Sequence, residues 1–368
     1  MNLKKTITWV LLLIWLTSPC MALCENVQVS AKAAVLYDTL TGTFLYDKAG
    51  DQRLPMASTT KIMTALIALE QLPLEQEHVI RPEWTGIEGS SMYLKAGETL
   101  TTEELLCGLM LMSGNDAAYA LACIVAGSEP RFVERMNEKA QALGLAGTSF
   151  ESASGLDGEN HYTTAKELAK LAANAMENED FRRIVGQKYA KAGNRTMKNH
   201  NKLLFLDEDI CGVKTGFTKK SGRCLVSAAQ QGGRLLIAVT LNDPDDWQDH
   251  GALYQSVFPQ FAPQQVLCGG TVGEVALFSG EESRVPLYCA QDFTLSLSEA
   301  ERQRIVIQVC GPRFACAPVK AGQPYGTLQV RLEDAVLLEA PVYYSRTVGT
   351  TLPPKGNFFT RLLQGLLG

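Results

Sequence analysis

The sequence has few of the residues that bind metals or phosphates. It contains four histidines, no His-Glu-x-x-His and no Cys-x-x-Cys pair, so nothing in it indicates a zinc site. No glycine-rich phosphate loop precedes a predicted helix, and no cluster of lysines and arginines is interleaved with aromatic residues. With a net charge of −5, the chain gives no support for nucleic-acid binding, and we expect no cofactor and no metal.

The apolar run near the N-terminus is too short to be a permanent membrane anchor. Residues 7–16 fall well below the roughly 20 residues that a spanning helix needs. Two lysines precede this run, and small residues behind it offer cleavage after Ala22 or Cys24, which is the pattern of a secretory signal. We therefore predict that residues 1–24 are a signal peptide and that the mature protein acts outside the cytoplasm.

Cysteine is present, but without metal-ligand spacing. An even number of cysteines follows residue 24, which permits disulfides in an exported chain. Cys310 and Cys316 flank a Gly-Pro turn and are the pair that we expect to be bonded, if any. The other six are predicted to be small buried apolar residues. They are Cys107, Cys123, Cys211, Cys224, Cys268 and Cys289.

What the chain does contain is a serine and a lysine three residues apart at the start of an apolar helix, residues 56–69. Ser58 and Lys61 share one helical face, and the rest is apolar nearly all round, so we expect the helix to be buried. A serine in the first turn lies beside unpaired backbone N–H groups and the positive dipole end, which can stabilise an oxyanion. Burial favours the neutral amine of Lys61, which can take the hydroxyl proton.

A structural interpretation competes with this one. Ser58 can be a helix cap and Lys61 a solvated side chain, and Ser-x-x-Lys arises by chance about once in a chain of this length. Two further elements favour catalysis: residues 113–115 (Ser-Gly-Asn) at a predicted helix–helix turn and residues 214–216 (Lys-Thr-Gly) at a predicted strand end. Each is ordinary turn or strand-end chemistry alone, but the three in this order are far more specific.

Periodicity predicts an α+β fold for residues 25–262. Residues 31–46 read as a β-hairpin and residues 211–241 as three further strands, with helices between them. We therefore expect one antiparallel sheet with a helical insert and catalytic groups where the two meet. The predicted helices are 56–69, 101–112, 116–125, 129–143, 163–176 and 254–261.

After Pro263 the pattern changes to short alternating segments, which predicts a small all-β domain over residues 263–346 without candidate catalytic residues. Residues 347–368 are predicted to be a linker and an amphipathic helix. That helix is about 18 Å long, too short for a hydrocarbon core of about 30 Å, but able to lie in the membrane interface. Docking on the protein itself or on a partner is the alternative.

With its three elements the chain resembles the penicillin-recognising serine enzymes, and within them the low-molecular-mass penicillin-binding proteins, D-alanyl-D-alanine carboxypeptidases of peptidase family S11. The resemblance covers nearly the whole mature chain. It implies a β-lactamase/DD-peptidase-like fold, peptidoglycan stem peptides as substrate and β-lactams as inhibitors. It also implies peripheral attachment to the outer face of the cytoplasmic membrane through the C-terminal helix.

The resemblance implies catalytic roles for four residues. Ser58 would attack the carbonyl between the last two D-alanines of a stem pentapeptide, with Lys61 as general base. Ser113 would relay a proton to the leaving amine. Asn115 would hold the substrate amide and the lysines in register.

It also implies a substrate-binding strand. Lys214 and Thr215 would bind the terminal carboxylate, and Gly216 would leave room for the substrate backbone. The backbone N–H groups of Ser58 and Phe217 would form the oxyanion hole.

The chain departs from the family pattern at two places. Phe217 stands where some relatives have histidine, and residues 242–250 lack the arginine that some relatives place there for the substrate carboxylate. No glutamate is followed four residues later by asparagine, so a class A β-lactamase is disfavoured and slow hydrolysis of bound penicillin is expected. Two further functions stay open at this point, a DD-endopeptidase and a non-catalytic wall-binding protein.

Overall fold

The computed structural model describes residues 27–333 and 335–352. The predicted signal peptide, residues 1–24, and the predicted terminal helix, residues 356–368, lie outside these ranges. Within them, no helix is long and apolar enough to cross a membrane.

The first part of the described chain contains both helices and antiparallel strands, as in the predicted α+β fold. Its strands are β1 Ala33–Asp38, β2 Thr43–Lys48, β3 Glu77–Val79, β4 Thr99–Thr101, β5 Tyr189–Ala192, β6 Arg195–Lys198, β7 Ile210–Thr218, β8 Gly222–Gln231 and β9 Arg234–Leu241. Its α-helices are α1 Lys61–Gln71, α2 Thr102–Leu111, α3 Asn115–Ala126, α4 Glu129–Ala142, α5 Ala165–Glu177, α6 Glu179–Val185, α7 Leu203–Leu206 and α8 Asp246–Val257. Short 3-10 helices occupy Ala57–Thr60, Pro82–Trp84 and Phe258–Gln260.

A five-stranded antiparallel sheet joins the two ends of this unit. Its order is β2-β1-β9-β8-β7, and β1 pairs along its whole length with β9, from Ala33 opposite Leu241 to Asp38 opposite Leu236. The predicted sheet with a helical insert is therefore confirmed. Strand β7 lies at the edge of the sheet, which leaves one side of its backbone free to pair with an extended peptide.

The helical insert forms where the sequence signals predict it. Thr101 and Glu104 make a complete capping box at the start of α2, and Gly127, with φ of 80°, ends α3 in the left-handed conformation. Helix α1 is buried from Lys61 to Ala68. It packs against α2, α3 and α5, so the apolar pattern around nearly its whole circumference is explained by burial on all sides.

The closing helix that we predicted over residues 254–261 is present, but its predicted first residue is wrong. Helix α8 begins at Asp246, eight residues earlier, and its first turns bury polar side chains. Asp246 is paired with Arg223, Asp249 accepts from Ser30, and His250 lies between Ser227 and Thr240. Partners from distant segments satisfy these groups, so an apolar pattern could not reveal the helix.

The last part of the described chain is all-β apart from one short helix, which confirms the predicted small β domain. Its elements are β10 Ala262–Leu267, β11 Gly270–Phe278, β12 Arg284–Cys289, β13 Phe293–Leu297, α9 Glu299–Arg302, β14 Ile305–Cys310, β15 Phe314–Cys316, β16 Pro324–Leu332 and β17 Ala335–Tyr344. A six-stranded sheet has the order β14-β16-β17-β12-β11-β15, and β10 pairs with β13. The predicted boundary between residues 262 and 263 stays a prediction.

The expected disulfide between Cys310 and Cys316 is wrong, because all eight cysteines of the described chain are free. The two residues lie on opposite edge strands of the six-stranded sheet. Cys310 pairs with Thr327 on β16, whereas Cys316 pairs with Phe278 on β11. The expectation that the other six are buried holds for Cys107, Cys224 and Cys289, fails for Cys268, which is exposed, and is met in part for the remaining two.

Arg234 on β9 connects the two parts of the molecule. It is 1% exposed, and its guanidinium donates to Asp38 of β1 and, at 2.7 Å, to Glu301 of α9. It also donates to the carbonyl of Ser296 and lies 3.6 Å from the centre of the Phe261 ring. Residues on both sides of the change from α/β to all-β structure thus share one buried cation.

Candidate active site

Ser58 and Lys61 meet at the start of α1. Ser58 lies in the 3-10 turn Ala57–Thr60, and Lys61 Nζ donates to Ser58 Oγ at 3.0 Å. Neither helix start has a side-chain cap, so the capping interpretation of Ser58 is wrong. Ala57, directly before the serine, has φ of 47°, a conformation that non-glycine residues rarely adopt and that structures retain chiefly at functional sites.

Lys61 is fully buried among neutral oxygen atoms, so it is not a solvated side chain. Its Nζ donates to Asn115 Oδ1 at 2.7 Å and to the carbonyl of Ser154 at 2.6 Å. Burial and then the nearby charge of Lys214 lower the pKa of Lys61 well below its usual value, against the opposing attraction of Asp116. The protonated amine donates to Ser58, Asn115 and Ser154. Once it is neutral, its two hydrogens can stay on Asn115 and Ser154, and its lone pair can accept the proton of the Ser58 hydroxyl, as a general base requires.

The Ser-Gly-Asn element lies between α2 and α3. Ser113 has φ of 58° and is 5% exposed, and its side chain lines the same cleft as Ser58. Besides accepting from Lys61, Asn115 donates to the carbonyl of Glu88 at 2.6 Å. Asp116 accepts from the backbone of Met92 and Leu94, and thereby fixes the loop that follows Glu88.

The Lys-Thr-Gly element lies on the edge strand β7, which packs against the turn that carries Ser58. Lys214 is 1% exposed and donates to the carbonyl of Thr215 at 2.9 Å; burial lowers its pKa to about 7. A Cβ on Gly216 would lie 3.1 Å from both the Met56 carbonyl oxygen and the Ser58 nitrogen, so glycine lets strand and turn approach closely.

These elements surround one cleft of about 920 Å³. Of the sequence-predicted residues, five line it: Ser58, Ser113, Thr215, Gly216 and Phe217. Lys61, Asn115 and Lys214 lie behind this surface and are buried. The three elements, separated by up to 158 positions in the chain, thus converge as the sequence pattern predicts, with Ser58 at the surface of the cleft and the two lysines beneath it.

Sequence reasoning missed residues 151–163, a segment that packs behind the turn carrying Ser58. A Cβ on Gly155, which has φ of 88°, would lie 2.1 Å from the Ala57 carbonyl oxygen, so only glycine fits there. His161 Nδ1 accepts from Glu151 N, which leaves Nε2–H to donate to Thr60 Oγ1 at 2.7 Å. Burial lowers the pKa of His161 to about 4, so the ring stays neutral at neutral pH. No spacing in the sequence connects this segment with residue 58.

Arg223 is a second residue that sequence reasoning missed. It lies on β8 opposite Phe217 and lines the cleft. Asp246 accepts from it at 2.5 Å, and its guanidinium carbon lies 5.3 Å from the centre of the Trp247 ring. Residues 242–250 contain no arginine, but Asp246 and Trp247 of that segment contact the arginine of the neighbouring strand β8.

Comparison with known proteins gives a consistent family. A family model described as D-alanyl-D-alanine carboxypeptidase, peptidase S11, matches residues 21–245, and one described as the C-terminal domain of penicillin-binding protein 5 matches residues 261–350. The D-alanyl-D-alanine carboxypeptidase DacF of Bacillus subtilis is 32% identical over 327 residues, which cover 85% of this chain and 84% of the relative. DacD of Salmonella typhimurium is 31% identical over 352 residues, which cover 91% and 89%.

Solved structures agree. Penicillin-binding protein 5 of Haemophilus influenzae superimposes with a TM-score of 0.64 at 28% identity, covering 88% of this chain and 98% of that one. The Streptomyces K15 DD-transpeptidase superimposes with a TM-score of 0.61 at 35% identity, covering 63% of this chain and 98% of that one.

Proposed function

The chain belongs to the D-alanyl-D-alanine carboxypeptidases of peptidase family S11, and we propose that Ser58 is its nucleophile and Lys61 its general base. The activity is that of a serine-type D-Ala-D-Ala carboxypeptidase of the cell wall. The hydrogen bond between Lys61 Nζ and Ser58 Oγ, at 3.0 Å inside a buried site, is the observation that carries the assignment of roles.

Acylation then follows from the positions of these groups. Ser58 Oγ attacks the carbonyl carbon of the penultimate D-alanine while its proton moves to Lys61, and the carbonyl oxygen becomes an oxyanion held by the N–H groups of Ser58 and Phe217. Ser113, whose hydroxyl borders the cleft, passes a proton to the leaving nitrogen. The C–N bond breaks, D-alanine leaves, and an ester links Ser58 to the shortened peptide. Water later cleaves that ester and releases the tetrapeptide.

Substrate placement follows from β7 and its neighbours. The substrate backbone pairs with the free edge of β7, where Gly216 leaves room for it. Lys214 and Thr215 bind the terminal carboxylate. We add Arg223, because it lines the cleft, its side chain is 40% exposed, and within the described residues its Nη1 has no hydrogen-bond partner, so this nitrogen can bind an anion.

The decisive experiment is D-alanine release from a stem pentapeptide by the mature chain, with Ser58→Ala as control. We expect release by the wild type and none above background by the variant. Labelling of Ser58 by a fluorescent penicillin, followed by slow loss of the label, is expected in parallel. A variant that still releases D-alanine would exclude Ser58 as nucleophile, and rapid steady hydrolysis of penicillin would favour a β-lactamase.

Export and membrane attachment belong to the proposal as well. The signal pattern of residues 1–24 and the apolar face of residues 356–368 support an enzyme held peripherally at the outer face of the cytoplasmic membrane. Deletion of residues 356–368 is expected to release the protein from membranes while leaving activity on a soluble D-Ala-D-Ala peptide intact. Retention in the membrane fraction would exclude the anchor.

A further inference from the structure

One wall of the cleft is built by alternating residues of β6 and the segment after it. Thr196, Lys198, His200 and Lys202 are exposed and line the cleft, whereas the residues between them are buried. The buried asparagines fix the backbone: Asn199 donates to the carbonyls of Val185 and Gln187, and Asn201 donates to the carbonyl of Gly212 on β7. We call the four exposed residues the 196–202 wall.

This wall carries positive charge that is only partly balanced, because the charge of Lys202 acts on Asp246, whose pKa is raised mainly by burial. Within residues 27–333 and 335–352, neither Lys198 nor Lys202 forms an ion pair; Lys198 Nζ lies 4.9 Å from the centre of the Phe205 ring, a contact that leaves its charge in place. Among the described residues, the cleft lining contains one acidic side chain, Asp246, and its carboxylate is already bonded to Arg223. Asp207 and Glu208 follow Leu206 in the chain but do not line the cleft.

His200 adds no charge at neutral pH. Burial and then the charge of Lys214 lower its pKa below the ordinary value, so the ring is neutral between the two lysines. The wall therefore presents two ammonium groups separated by a neutral hydrogen-bonding side chain.

The wall and β7 lie on the same cleft, and the space between them suits a short peptide. The cleft of about 920 Å³ lies within the range of roughly 300–1,000 Å³ that is usual for ligand pockets, so it has room for a short peptide. With the scissile bond at Ser58, the third residue of a stem pentapeptide directly precedes the acylated D-alanine. Its long side chain leaves the backbone beside the acylated residue and can reach across the cleft.

We propose that Lys198 and Lys202 form a subsite for a carboxylate at the end of the third residue's side chain, so that the enzyme prefers stem peptides whose diamino acid carries a free carboxylate over those in which this group is an amide. This inference rests on the proposed function. Both ammonium groups are partly hydrated, so each contributes a modest amount, and the two together favour the charged peptide by about five- to tenfold.

The test uses two pentapeptides that differ only in having a carboxylate or a primary amide at the end of that side chain. Equilibrium binding is measured with the full mature chain carrying Ser58→Ala, and kcat and KM for D-alanine release with the wild type. We expect tighter binding and a lower KM for the carboxylate peptide, a similar kcat, and a preference that shrinks as salt is raised. Lys198→Gln combined with Lys202→Gln is expected to abolish the preference while leaving the amidated peptide unaffected.

Lys191→Gln is the matched control, because Lys191 is an exposed lysine on the adjacent strand β5 and does not line the cleft. It should retain the full preference. Equal binding of both peptides, or a preference that survives the double substitution, would overturn the subsite. Failure of the wild type to release D-alanine from either peptide would instead overturn the proposed function, while the binding comparison would still decide the subsite.

Discussion

The protein buries basic side chains in two regions, and the groups that surround them differ: neutral oxygens in one region and carboxylates in the other. In the cleft, Lys61 and Lys214 are buried beside neutral oxygens, and burial lowers the pKa of both. Between the α/β and all-β parts, Arg234 is buried equally well but is bonded to two carboxylates. A lysine can lose its proton to reduce the cost of burial, whereas an arginine cannot and needs counter-charges.

We infer that this difference in surroundings reflects two roles: the buried lysine environment supports reactivity, and the buried arginine environment supports stability. Lys61, buried without a carboxylate partner, is held in the state that can accept a proton, so its surroundings serve chemistry. A buried arginine with two carboxylate partners is a fixed charge whose partners come from β1 and α9, so its surroundings serve assembly. Each of the following predictions would break or sharpen this contrast, in order of expected effect.

Lys61→Met should have the largest effect on activity. It removes the proposed general base, so we expect the rate of D-alanine release to fall by about 10³-fold or more. The substitution removes the hydrogen bonds that Lys61 donates to Asn115 and Ser154, but it also removes a buried polar group, and the two effects oppose each other. The free energy of unfolding should therefore change by no more than about 2 kcal/mol. Rates and urea unfolding would be compared with Ser58→Ala, and a loss of stability as large as that of Arg234→Met would contradict the contrast.

Arg234→Met should have the largest effect on stability. It leaves Asp38 and Glu301 buried without their cation, so we expect the free energy of unfolding to fall by about 3–5 kcal/mol. Activity per folded molecule should stay unchanged. The matched control is Arg304→Met, whose ion pair with Glu333 is exposed and should cost at most about 1 kcal/mol. Equal unfolding curves for the two variants would show that the buried cluster is not a structural support.

Arg223 combines features of both regions, because it is paired with a carboxylate yet lines the cleft. Arg223→Gln is expected to raise KM for a D-Ala-D-Ala peptide about tenfold with a smaller change in kcat, since a charged hydrogen bond to the terminal carboxylate is lost. Arg183→Gln, which removes exposed ion pairs to Glu103 of α2 and Asp180 of α6, is the control. An unchanged KM would remove Arg223 from the substrate site.

Change of pH should separate the two regions without any substitution. Activity should fall as the pH falls through the lowered pKa of Lys61, because the protonated amine cannot accept the serine proton. Burial alone would raise the pKa of Glu301, but its bonds to Arg234 hold that pKa below the ordinary value for a glutamate. The stabilising contribution of Glu301 is therefore complete when the pH is above the ordinary pKa, and it is lost only as the pH falls through the lowered pKa. We expect a pH range in which the enzyme is folded but inactive, measured by circular dichroism and D-alanine release. Unfolding at the pH where activity disappears would contradict it.

Local signals predicted much of the fold. The capping box of Thr101 and Glu104, the stop at Gly127 and the alternation in β7 to β9 are short-range features, so the elements were found within a few residues. Helix α8 was misplaced because distant groups satisfy its buried polar residues. The prediction of a disulfide between Cys310 and Cys316 was wrong, because their closeness in the sequence did not indicate that they lie on opposite edges of a sheet.

The active site divides in the same way. The sequence alone predicted which residues we propose to carry the chemistry, because Ser58 and Lys61 are one helical turn apart and the other two elements follow in a characteristic order. Only the tertiary structure decided what surrounds them: the Ser154 carbonyl, Gly155, His161 and the arginine on β8. These contacts join segments far apart in the chain, and no local spacing encodes them, because they exist only when those segments pack together in the folded protein.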